Sequence, residues 1–152
     1  MQKRLVHVLL VEDDPAAAKL TAEALRDALV MNDIHLVPDG EAALDFLNRK
    51  PPFADAPRPD LVLLDLNLPK IGGIELLERM KADPHLTNIP VVVLTVSSNP
   101  KDVQDAYRLH ASSVITKPAD LDEYFSAVRV IKELWFRIAR FPNEAQASGA
   151  GE

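Results

Sequence analysis

The stretch VLLVEDDP, residues 8–15, ends an apolar run in three consecutive acids. The run begins earlier, at residues 5–11 (LVHVLLV), and is aliphatic enough to predict a buried β-strand. Glu12, Asp13 and Asp14 then follow one another, although like charges repel more strongly where water is scarce. The acids therefore either decorate the start of the next helix or act together at the end of the strand.

The composition is typical of a globular chain of one domain. The 152 residues are 47% hydrophobic and 26% charged, and none is a cysteine, which excludes disulfides and thiolate metal sites. The net charge is −6, and the absence of a basic stripe argues against direct binding of nucleic acid. Since no apolar segment reaches the ~18 residues of a membrane span, and the N-terminal run is too short for a signal peptide, we expect a soluble cytoplasmic protein.

Short apolar runs alternate with longer amphipathic ones along the whole chain. Strands are predicted at residues 5–11, 34–39, 60–66, 89–98 and 113–116, and helices at 15–30, 40–50, 73–83, 99–110 and 119–140. The strands are apolar throughout rather than alternating, which indicates a parallel sheet with helices on both faces. The prediction is an α/β, doubly wound, five-stranded domain over residues 1–140, with a disordered tail at 141–152.

In such a sheet, ligands bind beyond the carboxyl ends of the strands. The residues predicted at these ends are Glu12, Asp13, Asp14, Asp65, Thr95 and Lys117. Clustered carboxylates raise their own pKa values unless a cation shares them, and oxygen ligands suit Mg²⁺. Asp65 could then attack a phosphoryl group and become an aspartyl phosphate, with Lys117 pairing to the phosphoryl oxygens and Thr95 donating a hydrogen bond to one of them.

Four motifs in this order, VEDDP, LLDLNLP, LTVSS and KP, resemble the signature of the response-regulator receiver domains of two-component systems. The resemblance covers roughly residues 4–139 and implies the flavodoxin-like receiver fold with five strands and five helices. It also implies a signalling module rather than an enzyme. Such a module takes a phosphoryl group from a sensor histidine kinase or a phosphotransfer protein in a phosphorelay.

The resemblance assigns roles residue by residue. Asp65 matches the phosphoacceptor, Asp13 the direct metal ligand and Glu12 the acid that usually acts through water. Asn67 matches the residue whose backbone carbonyl completes the Mg²⁺ site, so that the implied metal-site residues are Glu12, Asp13, Asp65 and Asn67. Thr95 and Lys117 match the switch hydroxyl and the phosphate-pairing lysine; by the same analogy the Lys117–Pro118 bond would be cis.

Two positions depart from the family pattern. Val114 stands where the family often has an aromatic residue that rotates inward, so an aromatic rotamer at this position cannot be the readout. Val96 stands where a small residue commonly follows the switch hydroxyl. Its side chain is expected to narrow access to an aspartyl phosphate and to slow hydrolysis.

Each candidate residue also has a simpler explanation. The three acids could complement the dipole at a helix N-terminus, and for Asp14 helix capping is the preferred interpretation. Asp65 could be a turn residue, Thr95 a strand residue and Lys117 a solvated loop residue. The joint pattern favours the functional interpretation, because independent turn residues need not match one phosphorylation site. The four histidines, His7, His35, His85 and His110, are scattered in the sequence without ligand spacing, and no role is assigned to them.

The last predicted helix has two apolar stripes. The first faces the core and comprises Leu121, Tyr124, Phe125, Val128, Ile131 and Trp135; the second comprises Ala127, Val130, Leu134, Ile138 and Phe141. A helix lying on a sheet needs one such face, so the second predicts a partner, most simply another copy of the chain, although the C-terminal end could instead fold back on its own domain. This ending and the loop at 51–59 resemble stand-alone regulators that serve bacterial phytochromes.

The sequence therefore predicts a phosphorelay response regulator of one domain, with no space after residue 140 for a DNA-binding domain. Its output would be protein–protein contact, altered dimerisation or relay of phosphate. Two rivals remain. A small phosphatase of another aspartyl-phosphate class would usually carry a second acid two residues after the nucleophile, where Asn67 stands. A receiver-like module that binds partners without being phosphorylated would not need every reactive residue type, yet all of them are present.

Overall fold

The computed structural model describes residues 5–26, 32–96, 99–117 and 120–133. Strands and helices alternate throughout. The strands are β1 (Val6–Val11), β2 (Asn32–Val37), β3 (Leu61–Leu64), β4 (Val91–Thr95) and β5 (Ser113–Thr116). The helices are α1 (Pro15–Arg26), α2 (Gly40–Leu47), α3 (Gly73–Ala82), α4 (Pro100–Arg108) and α5 (Leu121–Glu133). Within these described residues, no helix is both long and apolar enough to cross a membrane.

The strands form one parallel sheet in the order β2-β1-β3-β4-β5. The chain winds from β1 outward to β2 and then back across β1 to β3, so the strand order reverses at β1. The reversal leaves a crevice at the carboxyl ends of β1 and β3, where Val11 pairs with Leu64. The predicted doubly wound α/β fold is confirmed.

The three central strands, β1, β3 and β4, are almost entirely apolar because their successive side chains enter two separate cores. On one face Leu9, Val11 and Leu64 pack with residues of α2, α3 and α4, including Phe46 and Leu77. On the other face the alternate strand residues join α1 and α5 in a second cluster, which includes Val8, Leu10, Leu63, Leu25 and Val128. A sheet buried on both faces holds its strand ends in fixed positions, and this rigidity positions the site.

Several elements end earlier than the sequence predicts. The second strand spans 32–37 rather than 34–39, because Pro38 has no N–H for the ladder and the Asp39 carboxylate caps α2 at the N–H of Ala42 (2.7 Å). The fourth strand spans 91–95 rather than 89–98, and the third spans 61–64 rather than 60–66. At the start of α4, Asn99 accepts the N–H of Lys101 (3.0 Å), as expected of an N-cap.

The described part of α5 supports the predicted two stripes in part. Tyr124, Val128 and Ile131 are buried against the core, whereas Val130 is 63% exposed. Other predictions lie outside the described residues. These are the helix extensions at 27–30 and 134–140, the tail at 141–152 and the Lys117–Pro118 bond.

Candidate metal and phosphoryl site

The side chains of the three consecutive acids after β1 lie in three different environments. Glu12 is buried, with its backbone N–H bonded to the carbonyl of Val37 (3.1 Å), which continues the sheet by one residue. Asp13 is exposed. Asp14 caps α1, since its carboxylate accepts the N–H of Ala16 (3.0 Å), which confirms the capping interpretation. Asp14 therefore belongs to the start of the helix, whereas Glu12 and Asp13 lie at the end of the strand.

Asp65 follows β3 and is held from two sides. Its backbone N–H donates to the carbonyl of Val11 (3.1 Å), which continues the pairing with β1. The residue is 8% exposed, and its Oδ1 accepts the backbone N–H of Asn67 (2.9 Å). This bond uses one carboxylate oxygen and leaves Oδ2 directed toward Lys117.

Lys117 follows β5 and joins the acids of two other strands. Its ammonium donates to Glu12 and lies 3.2 Å from Oδ2 of Asp65. Its backbone N–H donates to the carbonyl of Thr95 (2.7 Å), so the lysine and the threonine are tied together at adjacent strand ends. Thr95 itself is fully buried at the end of β4.

The electrostatics of the site show an excess of negative charge. Burial, together with the neighbouring Asp65, raises the pKa of Glu12 from 4.5 to about 7, even though Lys117 acts in the opposite direction. Burial alone would lower the pKa of Lys117, but its bonds to Glu12 and the charge of Asp65 outweigh burial, so that this pKa lies above its ordinary value. One ammonium is thus shared between two carboxylates, and it does not fully neutralise them.

A divalent cation fits this site. Oxygen atoms of Glu12, Asp13 and Asp65 lie within 4.8 Å of one another, and their donor set is entirely carboxylate. Hard cations such as Mg²⁺ and Mn²⁺ prefer such oxygen ligands. A cation here would also favour the charged form of Glu12, against the burial that raises its pKa.

Gly73 supports the position of Asp65, a role that the sequence analysis missed. The N–H of Gly73 donates to the carbonyl of Leu66 (3.1 Å), and a Cβ at this position would lie 2.6 Å from the carbonyl oxygen of Asp65. The first residue of α3 is therefore packed directly against the backbone that carries Asp65. The paired glycines Gly72 and Gly73 before an amphipathic run were the available signal, but a sequence does not say which backbone a glycine approaches.

The sequence that forms this site matches a known family. The profile of the response regulator receiver domain matches residues 8–129. The chain belongs to this family. The match spans all four motifs, and it makes the chain a receiver-type signalling module.

Individual relatives agree. Response regulator Rcp1 of Synechocystis sp. is 41% identical over 135 residues, which cover 89% of this chain and 92% of Rcp1. A crystal structure of the Mn²⁺-bound form of Rcp1 superposes with a TM-score of 0.88 at 40% identity, covering 90% of this chain and 99% of that one. The phosphorylated cyanobacterial phytochrome response regulator RcpA gives a TM-score of 0.88 at 43% identity, covering 91% and 99%.

The structure brings together most of the residues that the sequence predicted. Glu12, Asp13, Asp65 and Lys117 share one crevice. The backbone N–H of Asn67 donates to the Asp65 carboxylate, and the backbone carbonyl of Thr95 accepts the N–H of Lys117, so both residues adjoin the crevice. The catalytic and metal-binding roles of these residues remain predictions.

Proposed function

We propose that the chain is a phosphorelay response regulator that accepts a phosphoryl group on Asp65. The observation that carries the proposal is the placement of one carboxylate. Asp65 Oδ2 lies 3.2 Å from the Lys117 ammonium, in a crevice that also holds carboxylate oxygens of Glu12 and Asp13 within 4.8 Å. A buried nucleophile, a fixed cation and a set of metal ligands are the components that phosphoryl transfer requires.

The proposed cofactor is Mg²⁺. Glu12, Asp13 and Asp65 would hold it through their carboxylates, with the backbone carbonyl of Asn67 as a further ligand and Glu12 acting through water. When bound, the ion neutralises charge on the phosphoryl oxygens and orients the incoming group. The relative solved with Mn²⁺ supports a divalent ion in this family, and Mg²⁺ is the choice that the all-oxygen donor set favours.

In the proposed step, a carboxylate oxygen of Asp65 attacks the phosphorus of the donor. A P–O bond forms to Asp65 while the P–N bond of a phosphohistidine breaks, and the bonding electrons leave with the imidazole nitrogen. Lys117 pairs with the phosphoryl oxygens as a point charge and exchanges its contact with Asp65 for one with the phosphoryl group. The Thr95 hydroxyl donates a hydrogen bond to another of these oxygens.

The proposed donor of the phosphoryl group is a sensor histidine kinase or a phosphotransfer protein. The proposed location of the chain is the cytoplasm, where such donors carry the phosphoryl group. RcpA, a phytochrome response regulator 43% identical to this chain, supports a bacteriophytochrome as the cognate kinase. Phosphorylation would shift the balance between two conformations of the end of β4 and of the face formed by α4, β5 and α5. The output would be protein–protein contact, without direct contact to nucleic acid or membrane.

We also propose that the chain forms a homodimer through its C-terminal helix. In the described part of α5, Val130 is 63% exposed although the adjacent core face is already filled by Val128 and Ile131. An exposed valine beside a complete core face matches a second apolar stripe that a partner copy covers. Sedimentation of the full chain at several concentrations tests this, and a Val130→Glu variant is expected to shift the equilibrium toward monomer.

The phosphorylation proposal is tested by intact mass. The chain is incubated with Mg²⁺ and a small phosphodonor such as acetyl phosphate, and a gain of about 80 Da per chain is expected. Asp65→Asn should abolish the gain. Asp60→Asn is the matched control, because Asp60 is a buried aspartate at the opposite end of β3, and this variant should still gain mass.

The results of this assay distinguish the proposed function from the two alternative functions. If no donor produces a gain, the chain is a module that only binds partners. Continuous turnover of a phosphate ester would instead indicate a phosphatase. The proposal fails in both cases, and it also fails if Asp65→Asn is phosphorylated as fully as the unchanged chain.

A further inference from the structure

A second cluster of metal-binding side chains lies at the other end of β1. His7 stands near the start of β1, and Asp33 and His35 stand on the neighbouring β2. The strand register pairs His7 with Asp33, and residues two apart on a strand point to the same face, so all three side chains emerge together. Glu12 lies five residues further along β1, which places the two ends roughly 16 Å apart.

The donor atoms of this cluster already have the spacing of metal ligands. Nδ1 of His7 lies 3.3 Å from Nε2 of His35, which in turn lies 3.5 Å from Oδ2 of Asp33. All three donors fall within 4.8 Å of one another. A tetrahedral ion with bonds of about 2.0–2.1 Å separates its ligands by about 3.4 Å, so the observed spacing requires little movement to close around an ion.

The scaffold holds these side chains in place before any ion arrives. The backbone of His7 is fixed in both directions by the buried Asp60, whose carboxylate accepts the His7 N–H (2.9 Å) and whose own N–H donates to the His7 carbonyl (2.7 Å). The ring of His35 packs against Phe46, with centroids 5.2 Å apart. Because Asp60 directly precedes β3 and Phe46 lies in α2, both supports are fixed by the fold, and the ligand side chains lose little freedom on binding.

The chemistry of the donors selects a class of metal. Two imidazole nitrogens and one carboxylate form the ligand set of zinc sites with three protein ligands and an open fourth position. Imidazole suits Zn²⁺, Co²⁺ and Ni²⁺, whereas Mg²⁺ prefers oxygen. Burial lowers the pKa of His35, which favours the neutral imidazole that metals bind.

We propose that His7, Asp33 and His35 form a binding site for one Zn²⁺-class divalent ion, separate from the acidic site at Asp65. The side chains of His35 and Asp33 are 22% and 55% exposed, so solvent reaches the site and water can fill the fourth position. An ion here joins the edge strand β2 to β1 and stabilises the folded chain. The proposal is independent of the phosphorylation of Asp65.

The test is a calorimetric titration of the full chain with Zn²⁺, with excess Mg²⁺ present to occupy the acidic site. One ion per chain is expected. His7→Gln and His35→Gln should each lower the Zn²⁺ affinity by at least about 100-fold, and Asp33→Asn by about 10-fold. His85→Gln is the matched control, because His85 is an exposed histidine far along the chain from the cluster, and its affinity should be unchanged.

Two further measurements keep the test decisive if a histidine variant fails to fold. In the unchanged chain, Zn²⁺ should shift the NMR signals of the His7 and His35 ring nitrogens but not those of His85 or His110. At ~100-fold excess over the dissociation constant it should also raise the melting temperature by about 5–10 °C.

Three results would overturn the proposal. The first is the absence of Zn²⁺ binding, which would leave only a hydrogen bond between two imidazoles. The second is binding that survives both histidine substitutions. The third is binding that is lost in Asp13→Asn, which would assign the zinc to the acidic site.

Discussion

The two ends of β1 carry two different sets of donors on one continuous strand. At the carboxyl end, Glu12, Asp13 and Asp65 offer oxygen atoms beside the Lys117 ammonium. At the amino end the donors are two imidazole nitrogens and one carboxylate, all from adjacent strands. The carboxyl end therefore collects groups from β1, β3 and β5, whereas the amino end depends on the register of a single strand pair. The two proposals thus place a site for a hard metal ion at one end of the sheet and a site for a borderline metal ion at the other.

Burial shifts the pKa values of Glu12 and His35, at the two ends of β1, in opposite directions. It raises the pKa of Glu12 to about 7 and lowers the pKa of His35 below its ordinary value. The physical cause is the same, because burial disfavours the charged form of either group. A carboxylate becomes neutral by keeping its proton, whereas an imidazole becomes neutral by losing one.

The largest expected effect is that of Gly73→Ala, which should disturb the carboxyl end of β1 and leave the amino end intact. In Gly73→Ala the new Cβ would lie 2.5 Å from the Cα of Leu66, so the backbone beside Asp65 must shift, at a cost of about 3 kcal/mol in unfolding free energy. Phosphorylation should slow, while the affinity for Zn²⁺ at the amino end stays unchanged. Chemical denaturation and the intact-mass assay measure both effects.

Gly72→Ala is the matched control for this substitution. A Cβ at Gly72 meets nothing within 4 Å, so this change should cost at most about 1 kcal/mol through its N-cap position. Equal destabilisation by both variants would show that the close approach of Gly73 to Asp65 does not matter.

Two exposed aspartates, one at each end, should have opposite selectivity. Asp13→Asn is expected to lower the affinity for Mg²⁺ by about 100-fold, equivalent to about 2.7 kcal/mol, and to leave Zn²⁺ binding unchanged. Asp33→Asn should leave Mg²⁺ binding unchanged and weaken Zn²⁺ binding. Titration of each variant with each ion checks both statements, and a variant that weakens both ions equally would contradict the separation of the two ends.

The pH dependence of stability should also differ in sign between the ends when chelator keeps metals away. Between pH 4.5 and about 7 the folded state holds the Glu12 proton more tightly than the unfolded state does, so this group makes the free energy of unfolding fall as pH rises. For His35 the folded state releases its proton more readily, so its contribution is present above pH 6.5 and is lost as pH falls below that value.

Thermal unfolding from pH 5 to pH 8 separates these two contributions. Glu12→Gln should remove the decline in stability toward pH 7, and His35→Gln should remove the loss of stability that occurs as pH falls below 6.5. His85→Gln serves as the reference. If Glu12→Gln leaves the pH profile unchanged, Glu12 does not titrate as its buried position indicates.

The smallest expected effect concerns the access of water to Asp65 at the carboxyl end of β1. Val96 follows Thr95 and is 66% exposed, beside the crevice. If its side chain shields an aspartyl phosphate from water, Val96→Ala should shorten the phosphoryl half-life by about 2–3-fold, equivalent to about 0.5 kcal/mol in the barrier. The half-life is read from the decay of the mass gain, and identical half-lives would end this hypothesis.

The sequence by itself determined the architecture and the acidic site. Continuous apolar runs such as LVLL (61–64) specify strands covered on both faces, and acids directly after such runs must lie at the carboxyl edge of a parallel sheet. The motif order then matched one family. Element ends were harder to predict. The sequence pattern placed Pro38 and Asp39 in the second strand, because the hydrogen bond by which the Asp39 carboxylate caps α2 is not visible in a local pattern.

Only the tertiary structure decided which distant residues meet. His7 and His35 have no ligand spacing in the sequence, and the pairing of β1 with β2 alone brings their rings to 3.3 Å between nitrogens. Gly73 gained its role in the same way, through a backbone approach to Asp65. Periodicity and motifs encode contacts along the chain and the ends of its elements, whereas strand register and packing bring together side chains that the sequence separates.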